Sequence, residues 1–398
     1  MTVYIKPSTA HGEITAPPSK SVAHRALICA ALSAGSTVNN VAMSNDIKAT
    51  LDGLRCLGAY AVFTGDSAKI GGIETDNIPG ARINAAESGS TLRFLIPLAL
   101  LSGKKTVFYG STRLFDRDLS VYEEIANNQG ILFSVSANSL TVCGKLKCGE
   151  YRVRGDISSQ FVSGLMFALP CLTGDSLIEF TTPIESKPYI DMTVDALSRF
   201  GVYVTPLENG YYIKGGQSYK SNNVTVEGDW SNAAFLDAFN LIGGDVKVCG
   251  LSADTLQGDR VYREYFARIK DGGSFDIGNC PDLAPVLFAL TAEFSGAVFR
   301  GTRRLKIKES DRALAMKTEL AKFGGELVID DNEVTVRDTV LHAPASPIES
   351  HNDHRIAMAM SILATRYGGC ISGAESVNKS YPCFFGDIKK LGIEVDVK

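Results

Sequence analysis

A chain of 398 residues with 45% hydrophobic and 21% charged residues has ordinary globular composition and is long enough for two or three domains. The net charge of −4 argues against a general nucleic-acid binder, so any affinity for anions must be built locally. The apolar run FLIPLALL is far too short to span a bilayer, and MTVYIKPSTAHGEI lacks the apolar core of a secretory signal, so a cytoplasmic protein with no membrane contact is expected.

In chain order, six stretches share one pattern: a short polar start, ten to fifteen apolar-rich residues, then glycine. They are KSVAHRALICAALSAG from Lys20, SGSTLRFLIPLALLSG from Ser88, SSQFVSGLMFALPCLTG from Ser158, DWSNAAFLDAFNLIGG from Asp229, PDLAPVLFALTAEFSG from Pro281 and DHRIAMAMSILATRYGG from Asp353. Their lengths and closing glycines predict helices, and their near-continuous apolarity predicts burial. The starts advance by 68, 70, 71, 52 and 72 residues. Between them lies a second unit: an amphipathic helix, a glycine, a strand, a tight turn and a strand, as in DALSRFGVYVTPLENGYYIKGG and TELAKFGGELVIDDNEVTVRD. YREYFARIKDGGSFDIG and the terminal DIKKLGIEVDV are shorter versions. Six copies of a unit of about 70 residues make an α/β protein with internal repetition, three copies in each of two domains.

A helix N-terminus offers unpaired N–H groups and a partial positive charge. Three such ends converging in each domain would give an acidic protein two electropositive surfaces for a small polyanionic ligand. The residues at these starts fit that use. Lys20, Ser21 and Arg25 open the first helix, with Ser21 and Arg25 on one face. Gly89 in ESGSTLRF lets backbone approach a ligand, while Arg93 braces the fold. Arg113 and Arg117 follow in STRLFDRDL. Ser158, Ser159 and Gln160 present more hydrogen-bonding groups than capping requires. Ser186 and Tyr189 stand where Pro188 opens another helix.

The run RRLKIKESDR resembles a basic tail until the helix behind it is read. Ala313, Met316, Leu320 and Phe323 form an apolar stripe closed by Gly324, with Ser310 or Asp311 as cap. Lys308, Glu309 and Arg312 therefore lie at a helix mouth. Asp282 in CPDLAP, Asp353, His354 and Arg355 in NDHR, and Lys379 complete the set. Acids among many cations point to proton transfer on an anionic substrate. Nine cysteines without a CxxC pair, and His351 and His354 without an HExxH pattern, point away from disulfides and metal.

PPSKSVAHRAL, SGSTLRF, SSQF, SKPY, KESDR and NDHR, in this order and spacing, resemble the EPSP synthase family of 3-phosphoshikimate 1-carboxyvinyltransferases over essentially the whole chain. The resemblance implies a two-domain inside-out α/β barrel of six βαβαββ units. Residues 14–227 would form the domain on the shikimate 3-phosphate side. Residues 1–13 and 228–398 would form the domain that completes the phosphoenolpyruvate site. It implies transfer of the enolpyruvyl group of phosphoenolpyruvate to the 5-hydroxyl of shikimate 3-phosphate, in chorismate and aromatic amino-acid biosynthesis, without a cofactor; a monomer that binds no nucleic acid is expected. It also implies competition by glyphosate.

Carried over to this sequence, Lys20, Ser21, Arg25, Ser158, Ser159, Gln160, Ser186, Tyr189, Asp282, Arg304 and Lys308 bind shikimate 3-phosphate. Lys20, Gly89, Arg117, Gln160, Arg312, Arg355 and Lys379 hold phosphoenolpyruvate. Asp282 accepts a proton, Glu309 donates one, and Lys20 shares the catalytic site. Glu87 stands where many relatives carry asparagine, which puts an acid beside the expected phosphate site. A UDP-N-acetylglucosamine enolpyruvyl transferase is the alternative with the same fold, but Lys20-Ser21 replaces its lysine-asparagine and STRLFDRDL has no cysteine. A non-catalytic RNA-binding repeat protein is the other alternative, opposed by the negative net charge and the absence of aromatics in RRLKIK.

Overall fold

All six apolar stretches are helices in the computed structural model, which describes residues 1–398: Lys20–Leu32, Gly89–Ala99, Ser159–Ala168, Trp230–Leu241, Ala284–Glu293 and His354–Tyr367. Five of the six have a side-chain cap; Ala284–Glu293 instead follows the single turn Pro281–Leu283. The side chains of Ser19, Ser88, Ser158, Asp229 and Asp353 each accept an N–H from the first turn that follows. The helices behind them bury almost every residue; Ala284–Ala292 and His354–Thr365 are continuously buried. Amphipathic helices Asn45–Cys56, Ser120–Gln129, Lys187–Arg199 and Arg312–Lys322 alternate with them, as do the shorter Tyr262–Arg268 and Phe384–Lys390.

The sheets repeat one pairing scheme. Gly149–Val153 runs parallel to Ser176–Phe180, which pairs antiparallel with Gly210–Ile213, itself antiparallel to Val204–Leu207. With helices Ser159–Ala168 and Lys187–Arg199 threaded between the strands, this is one βαβαββ unit. The same strand order recurs around Thr106–Gly110 and around Ala297–Arg300. Alternate residues of each strand face the helices, as in Ser36–Asn39, whose burial alternates along the strand.

Chain-distant strands complete three of the sheets. Asn223–Thr225 lies parallel to Ser36–Asn39 and supplies the first strand of the first unit. Thr2–Ile5 sits between Gly369–Ser372 and Val395–Val397, where the other units have the second arm of a hairpin. His11–Thr15 pairs parallel with Asp245–Cys249 in a two-stranded sheet. That fourth unit lacks a hairpin, because the chain after helix Tyr262–Arg268 runs directly into Ser274–Asp276, the opening strand of the fifth unit. The short 52-residue step has this cause.

The chain divides into Pro18–Glu227 and a second part made of Met1–Pro17 with Gly228–Lys398. The boundary expected at residue 14 therefore moves to 17/18. Strand His11–Thr15 is zipped along its whole length to Asp245–Cys249, so residues 14–17 belong with the second part. In that part, Phe288 meets Phe299 edge to face at 4.8 Å in a core that also holds Phe235, Met316 and Met358.

In Pro18–Glu227, helices Gly89–Ala99 and Ser159–Ala168 pack closely. Pro97 sits inside the first of them and has no N–H for the carbonyl of Arg93. The Tyr122 hydroxyl replaces that donor at 2.7 Å, with the Phe161 carbonyl also within 3.1 Å. Gly164 makes room, since a Cβ there would run into both the Arg93 carbonyl and the Tyr122 hydroxyl. Burial pushes the Tyr122 phenol well above its ordinary pKa, so it remains a donor at any working pH. Tyr122→Phe is expected to cost about 1–3 kcal/mol, the penalty for an unsatisfied buried carbonyl, read as a lower denaturant midpoint. An unchanged midpoint would show that the proline break needs no such repair.

Candidate active site

In Pro18–Glu227 the Ser19 cap places Lys20 on the first helical turn, where its Nζ lies 2.7 Å from Asp46 Oδ2. One turn on, Arg25 is buried and directs three N–H groups at the protein. Its Nε donates to Thr193 Oγ1 at 2.8 Å, Nη1 to the Ser21 carbonyl at 2.7 Å and Nη2 to the Tyr189 carbonyl at 2.8 Å. The guanidinium also lies 5.3 Å from the Phe94 ring centre. Ser21, Arg25 and Tyr189 are thus brought together across two helices. Ser186 precedes the second of these at φ 56°, with Pro188 in its first turn.

A second group gathers around Arg93. Its Nη1 donates to Gln160 Oε1 and its Nη2 to the Asp118 carbonyl, each at 3.1 Å, and Gln160 Nε2 donates to Ser90 Oγ at 2.9 Å. Gln160 sits on the first turn of the helix that Ser158 caps and Ser159 begins. Gly89 lets two guanidinium groups come close: a Cβ there would lie 2.8 Å from Arg117 Nη1 and 2.9 Å from Arg93 Nη1, so either side chain would have to shift. Ser88 is spent on capping, accepting from Thr91 N and Thr91 Oγ1. Burial pushes the Arg25 guanidinium down to about 10. Burial, with the charge of Arg117 nearby, pushes Arg93 down to about 9.

The other part organises RRLKIKESDR and its surroundings around one side chain. Asp311 is the cap, accepting from Leu314 N at 3.2 Å, so helix Arg312–Lys322 starts as the hydrophobic stripe requires. Arg312, 1% exposed, lies in its first turn and reaches three carboxylates. Nη1 lies 2.7 Å from Asp282 Oδ1, Nη2 2.7 Å from Glu309 Oε2 and Nε 2.9 Å from Asp353 Oδ2. Asp282 stands in the single turn Pro281–Leu283 that precedes a buried helix. It also accepts from Lys308 Nζ at 3.3 Å and from Arg355 Nη2 at 2.8 Å. Asp353 caps helix His354–Tyr367 through Arg355 N at 2.9 Å and accepts from Ser310 Oγ at 3.1 Å. Lys379 Nζ donates to the Asn352 carbonyl, one residue before Asp353. Arg304 Nη2 donates to the Gly278 carbonyl at 2.6 Å.

Burial alone would raise the Asp282 carboxyl, but Arg355, Lys308 and Arg312 together hold it well below the usual carboxylate range. Burial pushes the Lys308 ammonium down to about 8, against the pull of Asp282. Burial also opposes charge on Arg312, yet Asp353, Glu309 and Asp282 outweigh it and hold that guanidinium above its ordinary value. The cluster comprises Arg312, Arg355 and Lys308 against Asp282, Glu309 and Asp353: three cations and three carboxylates in direct contact.

Such a set suits transfer chemistry on anions, and comparison with known proteins decides which family uses it here. The model of the family described as EPSP synthase (3-phosphoshikimate 1-carboxyvinyltransferase) matches residues 5–388. The chain belongs to the EPSP synthase family. A Clostridium kluyveri relative named 3-phosphoshikimate 1-carboxyvinyltransferase is 41% identical over 418 residues, covering 99% of this chain and 98% of the relative. One of the same name from Clostridium acetobutylicum is 40% identical over 419 residues, with the same coverage. The solved EPSP synthase from Acinetobacter baumannii matches over 100% of both chains with a TM-score of 0.79 at 22% identity. The enolpyruvyl transferase NikO from Streptomyces tendae matches 99% of this chain and 98% of its own, with a TM-score of 0.77 at 14% identity. These two structures show the shared fold. Membership in the EPSP synthase family makes the chain a transferase of the shikimate pathway.

Three partners at these helix mouths carry no local signal in the sequence: Asp46 for Lys20, Thr193 for Arg25 and Ser231 for Arg355. Each is an ordinary polar residue whose role appears only when distant segments meet. Arg93, read as a brace, is one. In this EPSP synthase family member the Arg312 cluster also generates a stability prediction. Arg312→Leu leaves the buried Asp353 and the half-buried Asp282 and Glu309 without their shared cation and should cost about 3–5 kcal/mol at pH 7. The deficit should shrink towards pH 5 as those carboxyls take up protons, measured by denaturant unfolding at both pH values. A deficit independent of pH would mean that packing, not charge, is what Arg312 contributes.

Proposed function

We propose that this chain transfers the enolpyruvyl group of phosphoenolpyruvate to the 5-hydroxyl of shikimate 3-phosphate and releases inorganic phosphate. The observation that carries the reading is the balanced cluster in which Arg312 holds Asp282, Glu309 and Asp353 while Lys308 and Arg355 face Asp282.

The Pro18–Glu227 part takes shikimate 3-phosphate. Lys20, Ser21, Arg25, Ser158, Ser159, Gln160 and Ser186 receive its phosphate and carboxylate, and Tyr189 lies against its ring. Asp282, Arg304 and Lys308 serve its hydroxyls. Lys20, Gly89, Arg117, Gln160, Arg312, Arg355 and Lys379 hold phosphoenolpyruvate. Glyphosate competes with phosphoenolpyruvate, and the enzyme acts as a cytoplasmic monomer on these small molecules alone.

The chemistry needs one acid and one base. Glu309 protonates the methylene carbon, the adjacent carbon becomes electrophilic, and the 5-hydroxyl adds to it as Asp282 takes the hydroxyl proton. The Glu309 carboxylate takes a proton back from the new methyl group, the C–O bond to phosphate breaks, phosphate carries off the proton that Asp282 had taken, and the vinyl ether forms. Asp282 is a weak base while three cations hold it. Incoming phosphate and carboxylate groups draw Lys308, Arg312 and Arg355 towards themselves, and Asp282 gains basicity as they do. Preorganised cations at helix mouths also offset the repulsion between two polyanionic substrates and hold the hydroxyl close to the vinyl carbon.

Phosphate release from phosphoenolpyruvate should appear with shikimate 3-phosphate and not with UDP-N-acetylglucosamine, and Glu309→Gln should lower kcat by about 100-fold or more. Release only with the sugar nucleotide would keep the fold and overturn the substrate. The Lys308 ammonium, pushed down to about 8, sets an alkaline limb. Anion binding needs its charge, so kcat/KM of the free enzyme should fall as pH rises through about 8, and Lys308→Arg should move that limb to higher pH. Folding stability should move the other way between about 8 and 10.5, because the unfolded chain keeps a proton that the native state has lost. A pH profile identical in wild type and Lys308→Arg would remove Lys308 from substrate binding.

A further inference from the structure

The turn that leads into Asp353 is held in an unfavourable shape by a carboxylate far from the reacting groups. His351 and Asn352 are consecutive non-glycine residues at φ 51° and 53°. Left-handed backbone costs energy for most L residues, and two in a row persist only where the surroundings over-determine them. Ser350 supplies part of that hold, donating from Oγ to the Gly373 carbonyl at 2.8 Å and accepting at Oγ from Asn352 N at 3.2 Å.

Glu319 supplies the rest. It lies on the same helix as Arg312, two turns further along, and its side chain is wholly buried. Oε2 accepts from Glu349 N at 2.9 Å, Oε1 lies 2.7 Å from His351 Nε2, and Lys322 Nζ is 2.8 Å from Oε2. One carboxylate therefore grips both ends of the segment 349–351 and fixes it to the Arg312 helix. Burial would raise its pKa, but His351, Lys322 and the Glu349 N–H hold it below the ordinary glutamate value, so the clamp remains an anion. The next two residues are functional. The Asn352 carbonyl receives Lys379 Nζ, and the Asp353 carboxylate receives Arg312 Nε and caps the helix that carries Arg355.

We propose that Glu319, acting through His351, is a positioning residue that sets the spacing of Arg312, Arg355 and Lys379 for the carboxylate and phosphate of phosphoenolpyruvate. The proposal rests on the function argued above. Neither Glu319 nor His351 touches Arg312, Arg355 or Lys379 in the hydrogen bonds described; their influence passes through the 349–353 backbone.

Two substitutions separate the tie from the backbone shape. His351→Asn keeps a residue tolerant of left-handed backbone but is too short to reach Glu319, whereas His351→Gln carries an amide N–H to about the position of Nε2. Glu319→Asp keeps the charge and shortens the clamp by one methylene. For His351→Asn and Glu319→Asp the KM for phosphoenolpyruvate should rise about 10-fold, with kcat and the KM for shikimate 3-phosphate within about 2-fold of wild type. His351→Gln should recover most of the loss. Thermal midpoints of all three variants are read beside the kinetics. A lowered midpoint with unchanged KM, an equal rise in both KM values, or no recovery in His351→Gln would each overturn the positioning role. A wild-type enzyme that releases no phosphate would overturn the proposed function itself, and the positioning role with it.

Discussion

Everything in the second part of the chain that could do chemistry depends on one guanidinium. Arg312 is almost fully buried, and three carboxylates from separate stretches of sequence end on its three nitrogens. A buried cation is tolerated when carboxylates satisfy it, and each carboxylate is tolerated for the same reason. Removing any member leaves an uncompensated charge, so the cluster is held together by mutual necessity. It also means that the cations are already in place before any substrate arrives. On the proposed function, a substrate anion exchanges with protein carboxylates rather than gathering cations from solvent. That exchange leaves the released carboxylates more basic, which couples binding to the availability of a proton acceptor.

The first part of the chain solves the same problem with the opposite chemistry. Arg25 and Arg93 are equally buried, but their nitrogens end on carbonyls, hydroxyls and an amide instead of carboxylates. Burial therefore pushes both guanidinium pKa values down, to about 10 and about 9, where Arg312 moves up. Lys20 pairs directly with an acid, Asp46, and the Asp118 carboxylate lies close enough to Arg93 to oppose part of that fall. Neutral acceptors leave the charge of Arg25 without a paired carboxylate among its hydrogen bonds. One part holds its buried arginine against carboxylates; the other ends its buried arginines on neutral acceptors.

How much of this could be read beforehand follows from the range of each signal. The six buried helices announce themselves locally, because a polar cap followed by unbroken apolarity and a glycine has few other meanings. The polar residues at helix starts were legible for the same reason: Lys20, Arg25, Gln160, Asp282 and Arg355 at buried helices, and Lys308, Glu309 and Arg312 at an amphipathic one, all sit within a few residues of a helix N-terminus. What the sequence hides is pairing at a distance. Nothing near Thr193 marks it as the partner of Arg25, 168 residues away, and nothing near Glu319 marks it as the anchor of a turn 30 residues on. The strand swaps escape local reading too. Asn223–Thr225 completes a sheet begun at Ser36, and His11–Thr15 ties residues up to 17 to a strand beginning at Asp245, so the domain boundary falls four residues later than expected.

The hidden partners share a purpose. Tyr122 repairs the carbonyl that Pro97 leaves without a donor, and that carbonyl belongs to Arg93, whose side chain holds Gln160 in place. Glu319 fixes the turn that carries Asp353, whose side chain holds Arg312. In both cases a residue outside the proposed ligand contacts fixes where a group proposed to meet the ligand can sit. A repeat of helices and strands brings charged residues to helix mouths to within an ångström or so, through backbone geometry alone. Proton transfer and anion exchange need finer placement than that. The remaining precision comes from buried, fully engaged hydrogen bonds one residue behind the site. Such bonds are specific to each copy of the unit, so the repeat pattern cannot foretell them.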